Sequence, residues 1–174
     1  MKKLLLSLAI VGCAVVSAFA QKSSEGGKWN VGIEAGLPVG DASNVSNFAI
    51  GASVKYEQPI ADQTFVTISA GYSRFLYKSD VKDALREAGI NKSGEGFVPI
   101  KAGLKYYFMC NAGFFAEGQL GVAISTESGG GTAFAYSPGV GYTVDGGFEV
   151  GVRYEGWSHD GTLSQMGLRL GYRF

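Results

Sequence analysis

Residues 166–174 read Met166-Gly167-Leu168-Arg169-Leu170-Gly171-Tyr172-Arg173-Phe174, and this stretch decides the fold. Every second side chain is apolar and large, while each position between is glycine or arginine. A period of two is the spacing of a β-strand, whose successive side chains point to opposite faces. The segment therefore predicts a strand with one continuous apolar face and one face of small and charged residues.

The same alternation recurs along the chain, at 29–37, 48–57, 66–72, 100–108, 114–124, 134–144 and 148–154. With 166–174 this predicts eight strands of about ten residues each. Glycine supplies 27 of the 174 residues, about twice its average usage of about 7%. Such glycines suit a crowded concave interior, because they make room for longer neighbours and allow the coiling that barrel closure needs. The minor face of the strands carries Gly32, Gly36, Gly51, Gly71, Gly103, Gly121, Gly139, Gly141, Gly151, Gly167 and Gly171.

Composition excludes several other classes of protein. The chain has no Gly-X-Y period and only 4 prolines, which excludes collagen, and its 46% hydrophobic content argues against disorder. Lys plus Arg and Asp plus Glu number 15 each. Since a surface that binds nucleic acid is normally basic, we expect no nucleic-acid partner.

The connections alternate in length. The longer set is 38–47, 78–96, 125–132 and 158–164, and the shorter set is 58–63, 109–113 and 145–147. Longer loops on one rim and short turns on the other are typical of outer-membrane barrels, in which the short turns are periplasmic. Aromatic residues concentrate at both strand ends, as expected at two membrane interfaces. The sequence thus predicts an all-β fold, an eight-stranded antiparallel up-and-down transmembrane β-barrel whose termini are both periplasmic.

The first twenty residues have the pattern of a secretory signal peptide. Lys2 and Lys3 precede an apolar core, and Ala18 and Ala20 form a small-x-small cleavage site before Gln21. We expect residues 1–20 to be removed, 21–28 to be a flexible lead and 29–174 to form the barrel. The alternative is a lipoprotein signal at Ile10-Val11-Gly12-Cys13, with Cys13 lipidated.

The terminal strand 166–174, ending on Tyr172 and Phe174, resembles the C-terminal signal of small bacterial outer-membrane barrels. The stretches 97–100 and 105–108 are also similar to the porin-family, OmpA/OmpX-like β-barrel domain. The resemblance implies a location in the bacterial outer membrane, in contact with its lipid. It also implies recognition of Tyr172 and Phe174 by the barrel-assembly machinery, and a monomer. Because the chain stops at Phe174, we expect no peptidoglycan-binding domain after the barrel.

Charged residues on the minor face are the candidate site residues. Six are basic and five acidic, so the predicted lumen is nearly neutral, and a network of ion pairs is the expected role. The predicted register places Lys105 directly opposite Glu117, a favourable cross-strand pair. The full set is Glu34, Lys55, Glu57, Lys101, Lys105, Glu117, Glu149, Arg153, Glu155, Arg169 and Arg173.

Other motifs give weaker signals. Ser158, His159 and Asp160 suggest a hydrolase, but adjacent residues cannot form a relay, so a solvated loop is expected there. Cys110 has no partner cysteine or histidine nearby, and we expect neither a metal nor a cofactor. In loop 78–96, residues 79–89 have helical periodicity, with an apolar stripe of Val81, Ala84, Leu85 and Ala88. One short helix is therefore expected there, either packed on its own loop or facing an external partner.

The expected function is that of a non-enzymatic outer-membrane barrel with an envelope or surface-interaction role. An eight-stranded wall filled by side chains leaves at most a narrow pore. The alternatives are a lipid-modifying enzyme similar to lipid A deacylases, a small-solute porin, and a secreted soluble β-sandwich.

Overall fold

Eight antiparallel strands pair in chain order and close into a barrel through β8 and β1. The computed structural model describes residues 26–108, 113–127, 129–159 and 161–174. The strands are β1 Lys28–Val39, β2 Ser46–Ala61, β3 Thr64–Tyr77, β4 Gly94–Tyr107, β5 Gly113–Ser125, β6 Thr132–Thr143, β7 Phe148–His159 and β8 Gly161–Arg173. The predicted fold is confirmed. The expected signal peptide, its cleavage site and Cys13 lie outside the described residues.

Two ends of the barrel differ in their connections. The turn end carries both ends of the barrel sequence and the connections from β2 to β3, from β4 to β5 and from β6 to β7, while the loop end carries the other four connections. Gly146 and Gly147 take φ of 94° and 92° in the turn between β6 and β7. Glycine adopts these angles without strain, which allows the tight hairpin expected from Asp145-Gly146-Gly147.

The connection between β7 and β8 was predicted wrongly. Residues 158–164 were expected to form one of the longer loops, but β7 continues to His159 and β8 begins at Gly161. Ser158 pairs with Thr162 and His159 with Gly161 across a tight hairpin. These residues lack the apolar alternation of the strands below them, so the hydropathy pattern ended before the strands did. β1 likewise begins at Lys28, one residue earlier than expected.

Two short helices lie at the loop end, where one was expected. Helix α1 spans Ala42–Val45 between β1 and β2. Helix α2 spans Ser79–Glu87 between β3 and β4, within the segment predicted to be helical. No helix in the described ranges is long and apolar enough to cross a membrane.

The two faces of the wall differ sharply in polarity. Large apolar side chains of every strand point outward and are exposed, for example Ile33, Leu104, Leu120 and Val140. The inner face carries most of the strand glycines and most of the buried polar and charged residues. This arrangement inverts that of a water-soluble protein, because the apolar surface is on the outside.

Aromatic side chains form contacts around the outside of the turn end. Trp29 packs against Tyr56 at 5.0 Å between ring centroids, and Phe114 against Tyr142 at 4.9 Å. Toward the loop end, the ring centroids of Tyr136 and Tyr154 lie 6.0 Å apart. Rings at these two levels are the pattern of aromatic girdles at membrane interfaces.

Candidate functional site

All eleven charged residues predicted for the lumen lie on the inner face of the barrel. Their ion pairs join them into one connected network that crosses the lumen. The members come from strands β1, β2, β4, β5, β7 and β8, so the network connects the wall from side to side.

Two lysines and three glutamates form the centre of the network. Lys55 Nζ lies 2.9 Å from Glu117 Oε2, 3.1 Å from Glu57 Oε1 and 3.2 Å from Glu149 Oε1. Lys105 Nζ lies 3.0 Å from Glu57 Oε1 and also pairs with Glu149. Both lysines are buried. Each amine therefore has at least two carboxylates, which offsets the high cost of removing a charge from water.

Two arginines extend the network toward the loop end. Arg169 contacts a central carboxylate through Nη1 at 3.4 Å, and its Nε lies 3.5 Å from Glu34. Arg153 Nη2 lies 2.6 Å from Glu34 and 2.9 Å from Glu155. Lys101 completes this branch by pairing with Glu155. Every charge in the branch is thus matched by an opposite one.

The predicted pair of Lys105 and Glu117 differs from the one observed. The two residues do face each other in the register of β4 and β5. However, the Lys105 amine binds Glu57 and Glu149, while Glu117 accepts a hydrogen bond from Lys55. A lysine side chain is long enough to cross a narrow lumen, so its best carboxylates need not be on the neighbouring strand.

An aromatic cluster closes the lumen at the turn end. Phe65, Tyr107 and Phe115 are buried there, with Tyr107 5.6 Å from each of the other two rings. The Tyr107 hydroxyl lies 2.9 Å from Thr143 Oγ1 and accepts a hydrogen bond of 2.9 Å from Arg173 Nη1. The cluster is therefore anchored to the wall by its one polar atom.

A second aromatic cluster closes the loop end. The Trp157 ring lies 5.3 Å from Phe75 and 4.8 Å from Phe97. Small side chains such as Ala123 and Ala135 pack around these rings. We call Phe75, Phe97 and Trp157 the loop-end plug.

Three small cavities lie between the two aromatic clusters. One has a volume of about 30 Å³ and is lined by Glu117, Ser137 and Arg169 among others. Two others have volumes of about 10 Å³. A cavity needs roughly 10–15 Å³ to hold one water molecule. These cavities are too small for a solute.

A much larger cleft opens above the loop-end plug. Its volume is about 590 Å³, and its floor includes Phe97, Trp157 and Leu163. Asp41 and His159 lie on its rim. We call this the loop-end cleft. Its size falls within the range of about 300–1,000 Å³ typical of small-molecule sites.

Helix α2 is attached to the rest of the barrel less firmly than α1. None of its side chains is fully buried, and Val81 and Leu85 of the predicted apolar stripe are half-buried. Beyond it, Lys92 pairs with Glu127 of the next loop. The hydrogen bond to the Glu127 carboxylate raises the pKa of the Lys92 amine above its ordinary value. Lys92 therefore keeps its charge over the physiological pH range and links two loops.

The residues that suggested a hydrolase do not form a relay. Ser158 and His159 are consecutive in β7, so their side chains point to opposite faces of the wall. Asp160, like Cys110, lies outside the described residues. Over the described ranges, no group of three or more His, Cys, Asp or Glu side chains could hold a metal ion.

The residues of the predicted assembly signal lie on the outer face of β8. Tyr172 packs between Phe148 and Phe174, with ring centroids 5.0 Å and 6.3 Å away. Phe174 is 65% exposed. Its backbone exchanges hydrogen bonds with Trp29, which closes the barrel at the turn end.

The sequence matches the family model described as outer membrane protein beta-barrel domain over residues 6–174. The chain belongs to this family. As an outer-membrane β-barrel it is located in the bacterial outer membrane, where its apolar wall faces lipid. No curated protein matches the sequence.

Several outer-membrane proteins of known structure share the fold of this barrel. The crystal structure of the attachment invasion locus protein Ail of Yersinia pestis is 19% identical, with a TM-score of 0.59, and covers 86% of this chain and 99% of its own. Neisserial surface protein A is 16% identical, with a TM-score of 0.53 and coverages of 86% and 98%. The N-terminal barrel of Pseudomonas aeruginosa OprF is 16% identical, with a TM-score of 0.51 and coverages of 83% and 97%.

The loop-end plug was not predicted from the apolar alternation of this outer-membrane barrel. Phe75, Phe97 and Trp157 occupy the inner register, two positions from Ser73, Pro99 and Glu155 respectively. A large aromatic residue on an otherwise small and polar face was the available signal. These three residues lie beyond the segments with clear apolar alternation, so the alternation did not assign them to the inner face of a strand.

Proposed function

We propose that this outer-membrane barrel is a non-enzymatic protein with a closed lumen that presents its loop end to external partners. One observation carries the proposal. Between the turn-end aromatic cluster and the loop-end plug, the interior is crossed by a connected ion-pair network with cavities of about 30 Å³ or less. Because these cavities are too small for a solute, we place the binding of partners on the outside of the barrel.

A role in small-solute transport is disfavoured by the same packing. A conducting path would have to separate ion pairs that are buried and multiply bonded. Breaking one partner from a buried pair costs about 3–5 kcal/mol. We therefore propose at most a narrow pore that is rarely open.

A lipid-modifying activity is disfavoured by the geometry of Ser158 and His159. A serine nucleophile needs its hydroxyl within hydrogen-bond reach of the base. Consecutive residues of one strand point apart, and the described part of the chain contains no second histidine. We therefore propose that the lipid around the apolar outer wall is only the surrounding solvent and is not chemically modified by the protein.

The surface role is supported by the exposed loop-end features. Helix α2 lies at the loop end with no fully buried side chain, and the loop-end cleft is of ligand size. Ail, which shares this fold, has been crystallised in complex with the heparin analogue sucrose octasulfate. We further propose that the protein is a monomer whose terminal strand, with Tyr172 and Phe174, is recognised by the barrel-assembly machinery.

Complementation of a deletion strain separates an envelope role from a surface role. The strain receives either the wild-type gene or a variant in which Ser79–Glu87 is replaced by a Gly/Ser linker. We expect both to restore resistance to detergent, while only the wild type restores adherence of the bacteria to glycan-coated or protein-coated surfaces. Equal adherence by both strains would argue against α2 as the interacting element, and unaltered adherence of the deletion strain would refute the surface role.

A further inference from the structure

We propose that Arg169 and the residues that face it on β1 set the register in which the barrel closes. Strands β1 and β8 pair with each other to complete the wall, and we call this pairing the closing seam. Arg169 is thus a positioning residue for β8. The proposal goes beyond the surface role and concerns the formation of the barrel itself.

The closing seam differs from the other strand pairings in how its register can be fixed. Each of the others joins strands that follow one another in the chain, so a connecting loop helps to set the register. Strands β1 and β8 lie at opposite ends of the barrel sequence. Their register therefore depends on the side chains that they bring together.

The inner face of the closing seam has a pattern that fits one register. Glu34 of β1 lies directly opposite Arg169 of β8. On either side of this ion pair, glycine faces glycine, in the pairs Gly32 with Gly171 and Gly36 with Gly167.

A slipped register would break this pattern. A slip of one residue would turn the apolar side chains of β8 into the lumen, so the smallest slip that keeps both faces is two residues. Such a slip, in either direction, places both Glu34 and Arg169 opposite a glycine. The observed register is the one in which the two charges meet.

Contacts of Arg169 extend this specification beyond the facing strand. Its Nε lies 3.5 Å from Glu34 Oε1 and donates a hydrogen bond of 3.2 Å to Ser53 Oγ of β2. Ser53 Oγ in turn donates a hydrogen bond of 2.6 Å to the same Glu34 oxygen, and Arg153 of β7 binds the other oxygen. A slip of two residues would move β8 by about 7 Å along β1 and break this geometry.

The glycine pair nearest the turn end makes room for the guanidinium group. A Cβ on Gly32 would lie 2.7 Å from Arg169 Cζ and 2.9 Å from the Leu170 carbonyl oxygen. A Cβ on Gly171 would lie 2.7 Å from Asn30 Oδ1 and would also overlap the guanidinium. Arg169 therefore lies against the backbone of the closing seam, in a space that only glycine leaves open.

Disulfide formation on the outer face reports the register directly. Ile33 faces Leu170 in the observed register. The two possible slips of two residues would bring it opposite Leu168 or Tyr172 instead. Directly opposite residues are close enough for a disulfide, whereas diagonal neighbours, about 7–8 Å apart, are too far.

The experiment combines Ile33→Cys with Leu168→Cys, Leu170→Cys or Tyr172→Cys in the full chain. Both natural cysteines, Cys13 and Cys110, are replaced by serine. Each protein is refolded in detergent micelles and oxidised, and only the folded, heat-modifiable band is scored. With the closing seam unaltered, we expect the disulfide between positions 33 and 170 to dominate.

Glu34→Gln and Arg169→Met are expected to produce slipped closure. We expect the yield of a slipped disulfide, relative to the one between 33 and 170, to rise at least about fivefold, since removing one partner of a buried ion pair strongly disfavours the observed register. Arg169→Lys keeps the charge and should restore most of the original pattern. Lys101→Met is the matched control, because Lys101 is buried and pairs with Glu155 outside the closing seam.

The control should lower the unfolding midpoint and leave the disulfide pattern unchanged. The proposal is overturned if Glu34→Gln and Arg169→Met give only the disulfide between 33 and 170, or if Lys101→Met slips as much as they do. Loss of that disulfide without a slipped product would show an open seam and would also reject a role in register. Where Arg169→Met does not fold, Glu34→Gln, which keeps the size of the side chain, decides alone.

Discussion

Lys105 illustrates how a fully buried charge is held inside this barrel. Its amine bonds to Glu57 and Glu149 and lies 4.2 Å from the centroid of the Phe115 ring. Its exposed fraction is 0%. The amine therefore connects the ionic network to the turn-end aromatic cluster, so its removal affects both.

Lys105→Met is expected to destabilise the barrel. The substitution keeps much of the volume but leaves two carboxylates without this partner, for an expected loss of about 3–5 kcal/mol. The urea midpoint of unfolding in detergent micelles, followed by gel mobility, measures the loss. Lys82→Met on α2 is the control, because the Lys82 amine makes no ion pair with any described residue. Equal midpoints for both variants would count against the network.

The need for glycine on the inner face can be tested by comparing two glycines of β5, Gly121 and Gly118. A Cβ on Gly121 would overlap the Ile100 carbonyl oxygen and lie 2.7 Å from the Lys101 Cα, both parts of the backbone. On Gly118, which faces outward, a Cβ would meet nothing within 4 Å. The close approach of β4 and β5 thus requires glycine at one position and not at the other.

Gly121→Ala is accordingly expected to cost about 1–3 kcal/mol through overpacking. Gly118→Ala is expected to be neutral or to stabilise by up to about 1 kcal/mol, because alanine loses less backbone entropy on folding. The same urea unfolding assay compares the two variants. A larger loss for Gly118→Ala than for Gly121→Ala would refute this account of the glycine-lined face.

At the scale of whole elements, the two loop-end helices differ in how they attach. Ala42 anchors α1 by burial, whereas no side chain of α2 is fully buried. Replacing Ser79–Glu87 with a Gly/Ser linker should therefore leave the unfolding midpoint unchanged within about 0.5 kcal/mol, as for surface changes in general. Replacing Ala42–Val45 in the same way serves as the comparison, and this replacement should lower the unfolding midpoint because Ala42 is buried. A clear drop for the α2 variant would show that this helix packs on the barrel.

Strand elements could be predicted wherever the membrane imposed an alternating pattern. Segments such as 29–37 and 66–72 lie within observed strands because every second side chain faces an apolar solvent. The pattern fails beyond that zone. Ser158 and Thr162 face outward in paired strands without being apolar, and the predicted loop at 158–164 was wrong for that reason.

Side-chain partners inside the barrel were less predictable than the strands. The register of Lys105 opposite Glu117 follows from the turn between β4 and β5. The actual ion pairs depend on which strands face each other across the closed lumen, as with Lys55 and Glu149, separated by 94 residues. Only the three-dimensional closure brings such residues together.

On the scale of the whole molecule, the interior is built in three layers. An aromatic cluster closes the turn end, the ion-pair network fills the middle and the loop-end plug closes the other end. The outer wall is apolar around the full circumference. The interior is thus packed from one aromatic cluster to the other, which is the basis for the closed lumen proposed above.

Conductance of the purified protein in planar lipid bilayers tests this closed interior most directly. The account predicts no stable conductance steps under moderate voltage, with at most rare and small openings, because no continuous path crosses the network. An open porin in the same bilayers serves as the positive control. Large, long-lived conductance from the wild-type barrel would contradict the central claim.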